Sequence, residues 1–481
     1  MHTILYTLGI CLVGLAFFLV FPALLEATLH TNDWQVFALT SFLCLFVGGC
    51  LILVNKRDSY TMSTRHVYLL TTVLWVFIPI VSGLPFYFTS TSYHLGFTDA
   101  VFEAVSGMTT TGSTVYANLD NAPKGILLWR SMVVWIGGMG IIVLTMIVLP
   151  YLRVGGMQLF RTESSDRSDK VLPKAHQVAF VTTISYIALS GLCALAYYLS
   201  GMTGFDAINH AMTTLATGGF STHDASFGYF KNPLIHWMGV LFMMLGATPM
   251  LLYYTFFTNR HANRPLLYQT VVFWLQVAII VFIVTVYVHR TEHMPYEEAL
   301  RLTAFNIVSV ATTTGYASTD YNQWGPFAII VFYFLTVIGG CTGSTSGGLK
   351  TFRMVVMVKS VLYQMKKMLV PHGVFSARMG DTVIKEDVMS SVGMFFLLYV
   401  FVFTVFTLCL AASGLDMLTS TSGVTQAMSG VGPGLGPIIG PAGNFIPLTD
   451  FAKWSLVFAM IAGRLEIMTI LVLFTRAFWR S

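Results

Sequence analysis

Four segments of this chain end in glycine and offer backbone and hydroxyl oxygens, which are the ligands that hold a dehydrated cation in a carbonyl-lined site. We call them loops 1 to 4. They read FTDAVFEAVSGMTTTGSTV (97–115), FDAINHAMTTLATGGFST (205–222), YEEALRLTAFNIVSVATTTGYAST (296–319) and MLTSTSGVTQAMSGVGPGLG (417–436). Each opens with an amphipathic stretch too short to cross a membrane. Asp99, Asp206 and Glu298 lie near the start of three stretches, where a helix dipole is positive.

The glycines of these loops permit backbone angles that aim successive carbonyls toward one point. The negative C-terminal ends of the short helices would face the same point and favour a cation over an anion. Close helix packing through small residues is the alternative explanation for any single Gly/Thr/Ser cluster. Its recurrence at four equivalent places favours a shared cation site.

The segments that must position these loops are apolar. The chain has 481 residues, 55% of them hydrophobic and 10% charged, whereas about 25% is usual for soluble proteins. Its apolar runs reach the roughly 20 residues needed to cross a bilayer. We predict an integral membrane protein whose first run is a span and not a cleaved signal. The ten predicted spans are 4–29, 35–54, 67–88, 127–150, 177–200, 234–257, 265–289, 326–349, 389–413 and 452–475.

The basic residues predict the orientation of the spans. Of 26 lysines and arginines, 19 fall on the side of the termini, 4 on the other side and 3 in or beside spans. By the positive-inside rule both termini are cytoplasmic. The net charge of +5 gives no indication of nucleic-acid binding, and the six cysteines have no metal-ligand spacing.

Each Gly-ended loop lies between two spans, so one unit occurs four times after two leading spans. Repeats in one orientation predict a pseudo-fourfold axis along the membrane normal, with non-helical backbone lining a pore. The predicted fold class is all-α integral membrane, with about ten transmembrane helices and four short pore helices around one central pore. The predicted units are 1–58, an N-terminal extension, and the pore repeats 59–160, 161–262, 263–370 and 371–481.

The loop sequences TTTGSTV, ATGGFSTH, TTTGYAS and SGVGPGLG resemble the four selectivity-filter sequences of the Trk/Ktr/HKT potassium transporter superfamily, most closely its bacterial TrkH type. WIGGMGIIVL, IGGCTGSTSGGLK and GRLEIMTILVL strengthen the resemblance, which covers essentially the whole chain. It implies that twelve residues bind potassium. These filter residues are Thr110, Thr111 and Gly112; Thr217, Gly218 and Gly219; Thr313, Thr314 and Gly315; and Gly430, Val431 and Gly432.

The resemblance also implies a physiological setting. It implies potassium uptake, by symport or channel-like conduction, across the bacterial inner membrane. Related plant proteins that favour sodium have serine at the position of Gly112, so glycine there favours potassium. A homodimer and cytosolic, TrkA-type nucleotide-binding regulatory subunits are the implied partners, besides membrane lipid. The nucleotide is expected on the regulatory subunit, and no cofactor on this chain.

Control of the pore is predicted beneath the filter. The run 338–348, which we call the intramembrane loop, interrupts an apolar span with poor helix formers. The resemblance implies that it obstructs the pore; a packed helix kink is the alternative. Arg464, in the middle of the last span, should face the interior because a mid-membrane arginine is costly. The predicted gate residues are Gly339, Gly340, Gly343, Ser344, Thr345, Ser346, Gly347, Gly348 and Arg464.

The basic segment that follows the intramembrane loop has two interpretations. Lys350, Arg353 and Lys359 could couple a regulatory partner to the loop, or could simply anchor the cytoplasmic side. The stretch GSTSGGLKT resembles the phosphate-binding pattern GxxxxGK[ST]. Because Leu349 separates the glycine from the lysine and we predict no strand before it, we do not interpret it as a nucleotide site.

Two other classes of function compete with a potassium pathway. An intramembrane enzyme is disfavoured because the chain has no HExxH, no GxSxG and no paired acids within spans. An ion-coupled secondary transporter, of sodium or of another small solute, usually carries ionisable residues at the midplane. Apart from Arg464 and Glu466 these spans are nearly uncharged.

Overall fold

The computed structural model describes residues 2–57, 63–90, 92–143, 171–257, 264–380 and 382–480. The predicted unit boundaries after residues 58, 160 and 262 lie outside this part of the chain. So do several of the basic residues assigned to the cytoplasmic side. These are Arg153, Arg161, Arg167, Lys170 and Arg260.

Within the described residues, seven helices are long and apolar enough to cross a membrane. Two bent helix pairs and the short helix Pro326–Val337 occupy the remaining three predicted places, which agrees with about ten spans. The long helices are His2–Thr28, Trp34–Asn55, Thr64–Ser82 with its continuation Leu84–Phe88, Lys124–Val143, Val171–Leu199, Arg264–Thr291 and Glu386–Ala412.

Two spans that the sequence predicted as continuous are broken. Helices Pro233–Gly246 and Met250–Phe257 meet at 90°, a larger change than the kink expected at Pro249, which lacks a backbone N–H. The last span bends by 107° after Asp450–Arg464. Glu466 adopts a left-handed conformation at this bend, with φ of +64°. The chain then continues through Ile467–Leu471, a 3-10 turn at Val472–Phe474 and Arg476–Arg480.

The amphipathic stretches of the four loops form the predicted pore helices. Side-chain caps begin two of them: Thr203 accepts the N–H of Asp206, and Asp416 accepts those of Leu418 and Thr419. Almost every residue in the last two turns of each helix is buried, so the helices end inside the protein. The pore helices are Phe97–Met108, Gly204–Leu215, Tyr296–Ala311 and Met417–Ser429.

The intramembrane loop is closed at its base by a two-residue parallel pairing. Strand Ile338–Gly339 pairs with strand Leu349–Lys350, and helix Thr351–Leu369 follows directly. The predicted unwinding of this span is therefore present. Elsewhere a hairpin joins Arg378–Met379 to Thr382–Val383, and 3-10 turns occur at Leu119–Asn121, Ser226–Tyr229 and Tyr321–Trp324.

The apolar core forms two large clusters on either side of the four loops. One joins the first span and repeat 1 to repeat 4, and the other joins repeat 2 to repeat 3. Val431 of loop 4 packs in the second cluster although its own pore helix packs in the first. The loops are therefore held between the clusters, where apolar packing fixes their positions.

Candidate ion-binding site and intramembrane loop

The four filter segments share one unusual backbone pattern. In each, the first and third residues have positive φ, and the middle residue does not. Alternating handedness turns successive carbonyls toward the same side of the chain, which is what an oxygen-lined pathway requires. Threonine tolerates this conformation less readily than glycine. The φ values are +53° at Thr110, +51° at Thr217, +58° at Thr313 and +69° at Gly430, then +86° at Gly112, +64° at Gly219, +86° at Gly315 and +105° at Gly432.

Each segment is fastened to the end of its own pore helix in the same way. The N–H of the middle filter residue donates to the carbonyl five residues earlier, in the last turn of the helix. These bonds explain how four different sequences take the same path. They join Thr111 to Ser106 at 2.8 Å, Gly218 to Thr213 at 2.9 Å, Thr314 to Ser309 at 2.8 Å and Val431 to Gln426 at 3.1 Å.

The four segments meet in a closed ring. A Cβ atom placed on the last glycine of one loop would meet the carbonyl oxygen of the middle residue in the next loop, and loop 4 returns to loop 1. For Gly432 that separation would be 2.9 Å, and for the other three the atoms would overlap outright. The neighbours are Gly112 with Gly218, Gly219 with Thr314, Gly315 with Val431 and Gly432 with Thr111.

The ring brings all twelve predicted filter residues together, with glycine required where backbones approach. Their threonine side chains are fully buried, and the third glycines of loops 1 to 3 are partly exposed. The third position therefore faces an opening and the first position faces the interior. The first position is also the one nearest the pore-helix C-terminus, whose partial negative charge favours a cation.

The intramembrane loop lies against the interior end of this ring and touches repeats 2, 3 and 4. Thr345 and Ser346 are buried completely. The hydrogen bonds run from Thr345 Oγ1 to the carbonyls of Leu215 (2.8 Å) and Gly246 (3.0 Å), from Gly347 N to Thr313 Oγ1 (2.7 Å) and from Gly348 N to the carbonyl of Ser429 (2.7 Å).

The remaining predicted gate residues stabilise the loop itself. Ser346 Oγ accepts the N–H of Gly340 at 2.9 Å and lies 3.0 Å from Thr313 Oγ1. The Gly343 carbonyl accepts the N–H of Met250 at 3.0 Å, which attaches the loop to the bent span of repeat 2. Ser344 Oγ donates to the Cys341 carbonyl at 2.6 Å, and Gly339 belongs to the paired base.

Arg464 connects the ring to the loop. Its Nη2 donates to Thr110 Oγ1 at 2.6 Å and to the Thr345 carbonyl at 2.8 Å, and its side chain is buried. Through this guanidinium the loop reaches repeat 1, with which its own hydrogen bonds make no contact in the part of the chain that the structure describes. The geometry agrees with the interior position predicted for Arg464, just beneath the first filter residue.

The structure changes the interpretation of the basic segment. Lys350 and Arg353 are buried, so neither side chain lies on a surface that a partner could contact directly. Lys350 Nζ donates to the Ser346 carbonyl, and Arg353 forms an ion pair with Glu466. Lys359 is partly exposed and lies 4.7 Å over the Tyr268 ring. A coupling role for the first two residues would have to act from inside the protein.

Two buried ion pairs escaped the sequence analysis. Arg130 Nε contacts Glu103 Oε1 at 2.8 Å, and Arg130 Nη1 donates to the Ser221 carbonyl at 3.0 Å, so this pair braces loops 1 and 2 behind the ring. Arg353 and Glu466 brace the bend of the last span. The charged residues inside apolar runs were visible in the sequence, but their partners, 27 residues away for Arg130 and 113 for Arg353, have no local signature.

On the partly exposed side of the ring, His223 bridges two repeats. Its Nδ1 lies 2.5 Å from Asp120 Oδ1, its Nε2 lies 3.4 Å from Asp206 Oδ1, and its ring stacks on Tyr229 at 3.5 Å. Burial lowers the pKa of His223, but the hydrogen bonds and charges of Asp206 and Asp120 outweigh burial, so the pKa is raised. His223 therefore joins loop 2 to the Asp120 turn of repeat 1.

Comparison with known proteins agrees with this geometry. A family model described as "TrkH: Cation transport protein" matches residues 33–481. The chain belongs to the TrkH family. It is 42% identical to the Trk system potassium uptake protein TrkI of Halomonas elongata, over 99% of this chain and 97% of that protein. It is 36% identical to TrkH of Escherichia coli K12, over 96% of each chain.

The TrkH fold is also shown directly by a solved structure. The crystal structure of the potassium transporter TrkH from Vibrio parahaemolyticus matches with a TM-score of 0.90 at 32% identity, over 100% of this chain and 99% of that one. The predicted all-α membrane fold is thereby confirmed, and so is the predicted family. Members of this family are transporters, and the chain is not an enzyme.

Proposed function

We propose that this TrkH-family chain takes up potassium across the bacterial inner membrane through the closed ring of Gly-ended loops. The ring is the observation that carries the proposal, because four left-handed turns in contact are a costly arrangement that packing alone does not need. Backbone carbonyls there would replace the hydration shell of the ion. The related proteins from Halomonas elongata and Escherichia coli are both named potassium uptake proteins.

In this mechanism the twelve filter residues bind potassium through their backbone, and the four pore helices stabilise its charge. Each helix ends at the ring with its negative dipole pole, so the site attracts a cation without using a carboxylate. Within the ring, the same carbonyls repel anions. The four repeats act as equivalent units around the pathway, following the two-helix extension at the N-terminus.

The intramembrane loop and Arg464 would close the interior end. The loop occupies the place where the pathway continues inward, and the guanidinium of Arg464 puts a positive charge beside Thr110. A cation leaving the ring would meet that charge in a low-dielectric environment. Opening requires that the bonds of Thr345, Gly347 and Gly348 to loops 2, 3 and 4 break together.

The proposed setting is a homodimer with both termini in the cytoplasm, controlled by cytosolic TrkA-type subunits that bind the nucleotide. The many basic residues on the side of the termini support this orientation. Lys359 lies on helix Thr351–Leu369, which leads directly from the intramembrane loop, and is partly exposed. A subunit that moves this helix would pull on the loop.

Uptake in a potassium-deficient bacterial host tests the proposal. We expect the chain to restore growth and rubidium uptake, and Gly315→Ser to abolish both, because a side chain there would overlap the carbonyl of Val431. Gly49→Ser is the control, since a Cβ at Gly49 meets no atom within 4 Å. Rescue that survives Gly315→Ser would reject the filter mechanism.

The gate is tested separately with Arg464→Gln, which removes the positive charge and keeps part of the hydrogen bonding. In liposomes without regulatory subunits, we expect potassium flux through this variant to exceed wild-type flux. Unchanged flux and unchanged gating would reject the assignment of Arg464 as a pore-facing barrier.

A further inference from the structure

A cavity of about 30 Å³ lies between the ring, the intramembrane loop and the bend of the last span. Thr111 and Ser429 line it from the loops, and Lys350, Arg353, Arg464 and Glu466 line it from below. Among the described residues that line this cavity, three are cationic and one is anionic. Cationic side chains therefore outnumber anionic ones in the lining.

The contacts show which charges lack a counterion. Arg353 is paired with Glu466 and lies 3.8 Å over the Phe395 ring, so its charge is compensated. Lys350 donates to a neutral carbonyl, that of Ser346. Arg464 donates to a neutral hydroxyl and a neutral carbonyl. Each of these two side chains is only 6% exposed.

One polar atom at the cavity has no hydrogen-bond partner. Arg464 Nε is buried and unsatisfied within the described part of the chain. A buried guanidinium N–H without an acceptor is costly, and a buried charge without a counterion is more so. Both deficits have the same remedy, which is an acceptor that carries negative charge.

We infer that this cavity binds a small monovalent anion of the halide class between Lys350 and Arg464. Its volume exceeds the roughly 10–15 Å³ that one water molecule needs, so it can hold a small monatomic ion. Hydroxyl groups are also available as donors, including Tyr399, whose oxygen lies 3.3 Å from Ser429 Oγ. The inference deepens the proposed function, since a bound anion would lower the positive barrier beneath the ring.

Bromide is the probe for this site. Crystals of the full chain grown in potassium bromide should give an anomalous peak between Lys350 and Arg464. The thermal midpoint of the purified chain should rise saturably when bromide or chloride replaces gluconate, because a ligand that binds only the folded state stabilises it. No peak in the cavity, together with equal midpoints in all three salts, would overturn the inference.

Two variants test whether Lys350 binds the halide. Lys350→Met keeps the length of the side chain and removes its charge, so we expect the halide concentration at half effect to rise by about tenfold or more. Lys366→Met removes an exposed charge on the helix that follows Lys350 and should leave halide binding unchanged. If Lys350→Met does not fold, the anomalous peak and salt series of the wild-type chain still decide the matter.

The binding readouts do not depend on transport. A bromide peak in a chain that fails to carry potassium would leave the anion site intact and reject the proposed function. Potassium uptake that is identical in chloride and gluconate, with no bromide peak, would reject the anion site and leave the proposed function intact.

Discussion

Substituting Gly112 by serine should separate backbone strain from the contacts of the ring. Gly112 has φ of +86°, where a residue with a side chain costs about 1–2 kcal/mol. Its Cβ would also overlap the carbonyl oxygen of Gly218 in the next loop. That carbonyl must move, which removes one charged contact of roughly 1.5–3 kcal/mol from a bound ion.

Gly436 is a matched control because its backbone is the same and its surroundings are not. Its φ is +89°, yet a Cβ there meets no atom closer than 3.5 Å. Gly436→Ser therefore carries the strain without moving a carbonyl. Gly436→Ser should keep wild-type potassium binding, whereas Gly112→Ser should bind potassium less tightly.

Ion flux into liposomes measures both the half-maximal potassium concentration and the selectivity of Gly112→Ser. One lost contact of about 1.4 kcal/mol or more predicts at least a tenfold rise in the potassium concentration that gives half-maximal flux through Gly112→Ser. Sodium flux should change less, so the ratio of potassium to sodium should fall. If Gly112→Ser keeps the wild-type ratio and half-maximal concentration, Gly112 is not a filter residue and the ring does not bind the ion.

Three further predictions concern the charges around the ring. Glu466→Gln should lower the free energy of unfolding by about 3–5 kcal/mol in chemical denaturation, because it leaves Arg353 buried without a counterion; Arg353→Met combined with it should recover part of the loss. Glu103→Gln should lower the free energy of unfolding by a similar amount, because it leaves Arg130 buried without a counterion. An effect below about 1 kcal/mol would contradict the bracing role. His223, whose pKa is raised, should add stability that is present below its unfolded pKa of about 6.5 and is lost as pH rises through the folded pKa. The thermal midpoint should therefore fall as pH rises. His223→Gln should make this fall smaller, and His372→Gln, at an exposed position, should not.

The sequence was sufficient for those parts of the fold that depend on local pattern. Apolar runs located the spans, and the four Gly-ended segments located the pore helices, because both signals are contained in about twenty neighbouring residues. A kink was expected at Pro249, but neither the 90° bend there nor the 107° bend after Arg464 was predicted. The helices that meet at each bend are apolar overall, and both bends make contacts with the intramembrane loop that the sequence does not reveal.

The candidate site divides in the same way. The glycines of the ring could be named from their repetition, because the left-handed backbone restricts the residue type wherever it occurs. The sequence also placed Arg464 in the interior from the cost of burying it. It did not reveal that Lys350 and Arg353 are buried, since their spacing suits a cytoplasmic surface equally well. Arg353 is paired with Glu466, which is 113 residues away in the sequence and therefore could not be identified as its partner.

The ring is built from four unequal segments of one chain, and this has a consequence for how it can change. In an assembly of four identical subunits, every substitution would appear at four places at once. Here a substitution alters one quarter of the ring and leaves three quarters as they were. Loop 4 already differs, with Gly430 and Val431 where loop 3 has Thr313 and Thr314. Ion preference in such a protein can therefore be adjusted in small steps, one side of the pathway at a time.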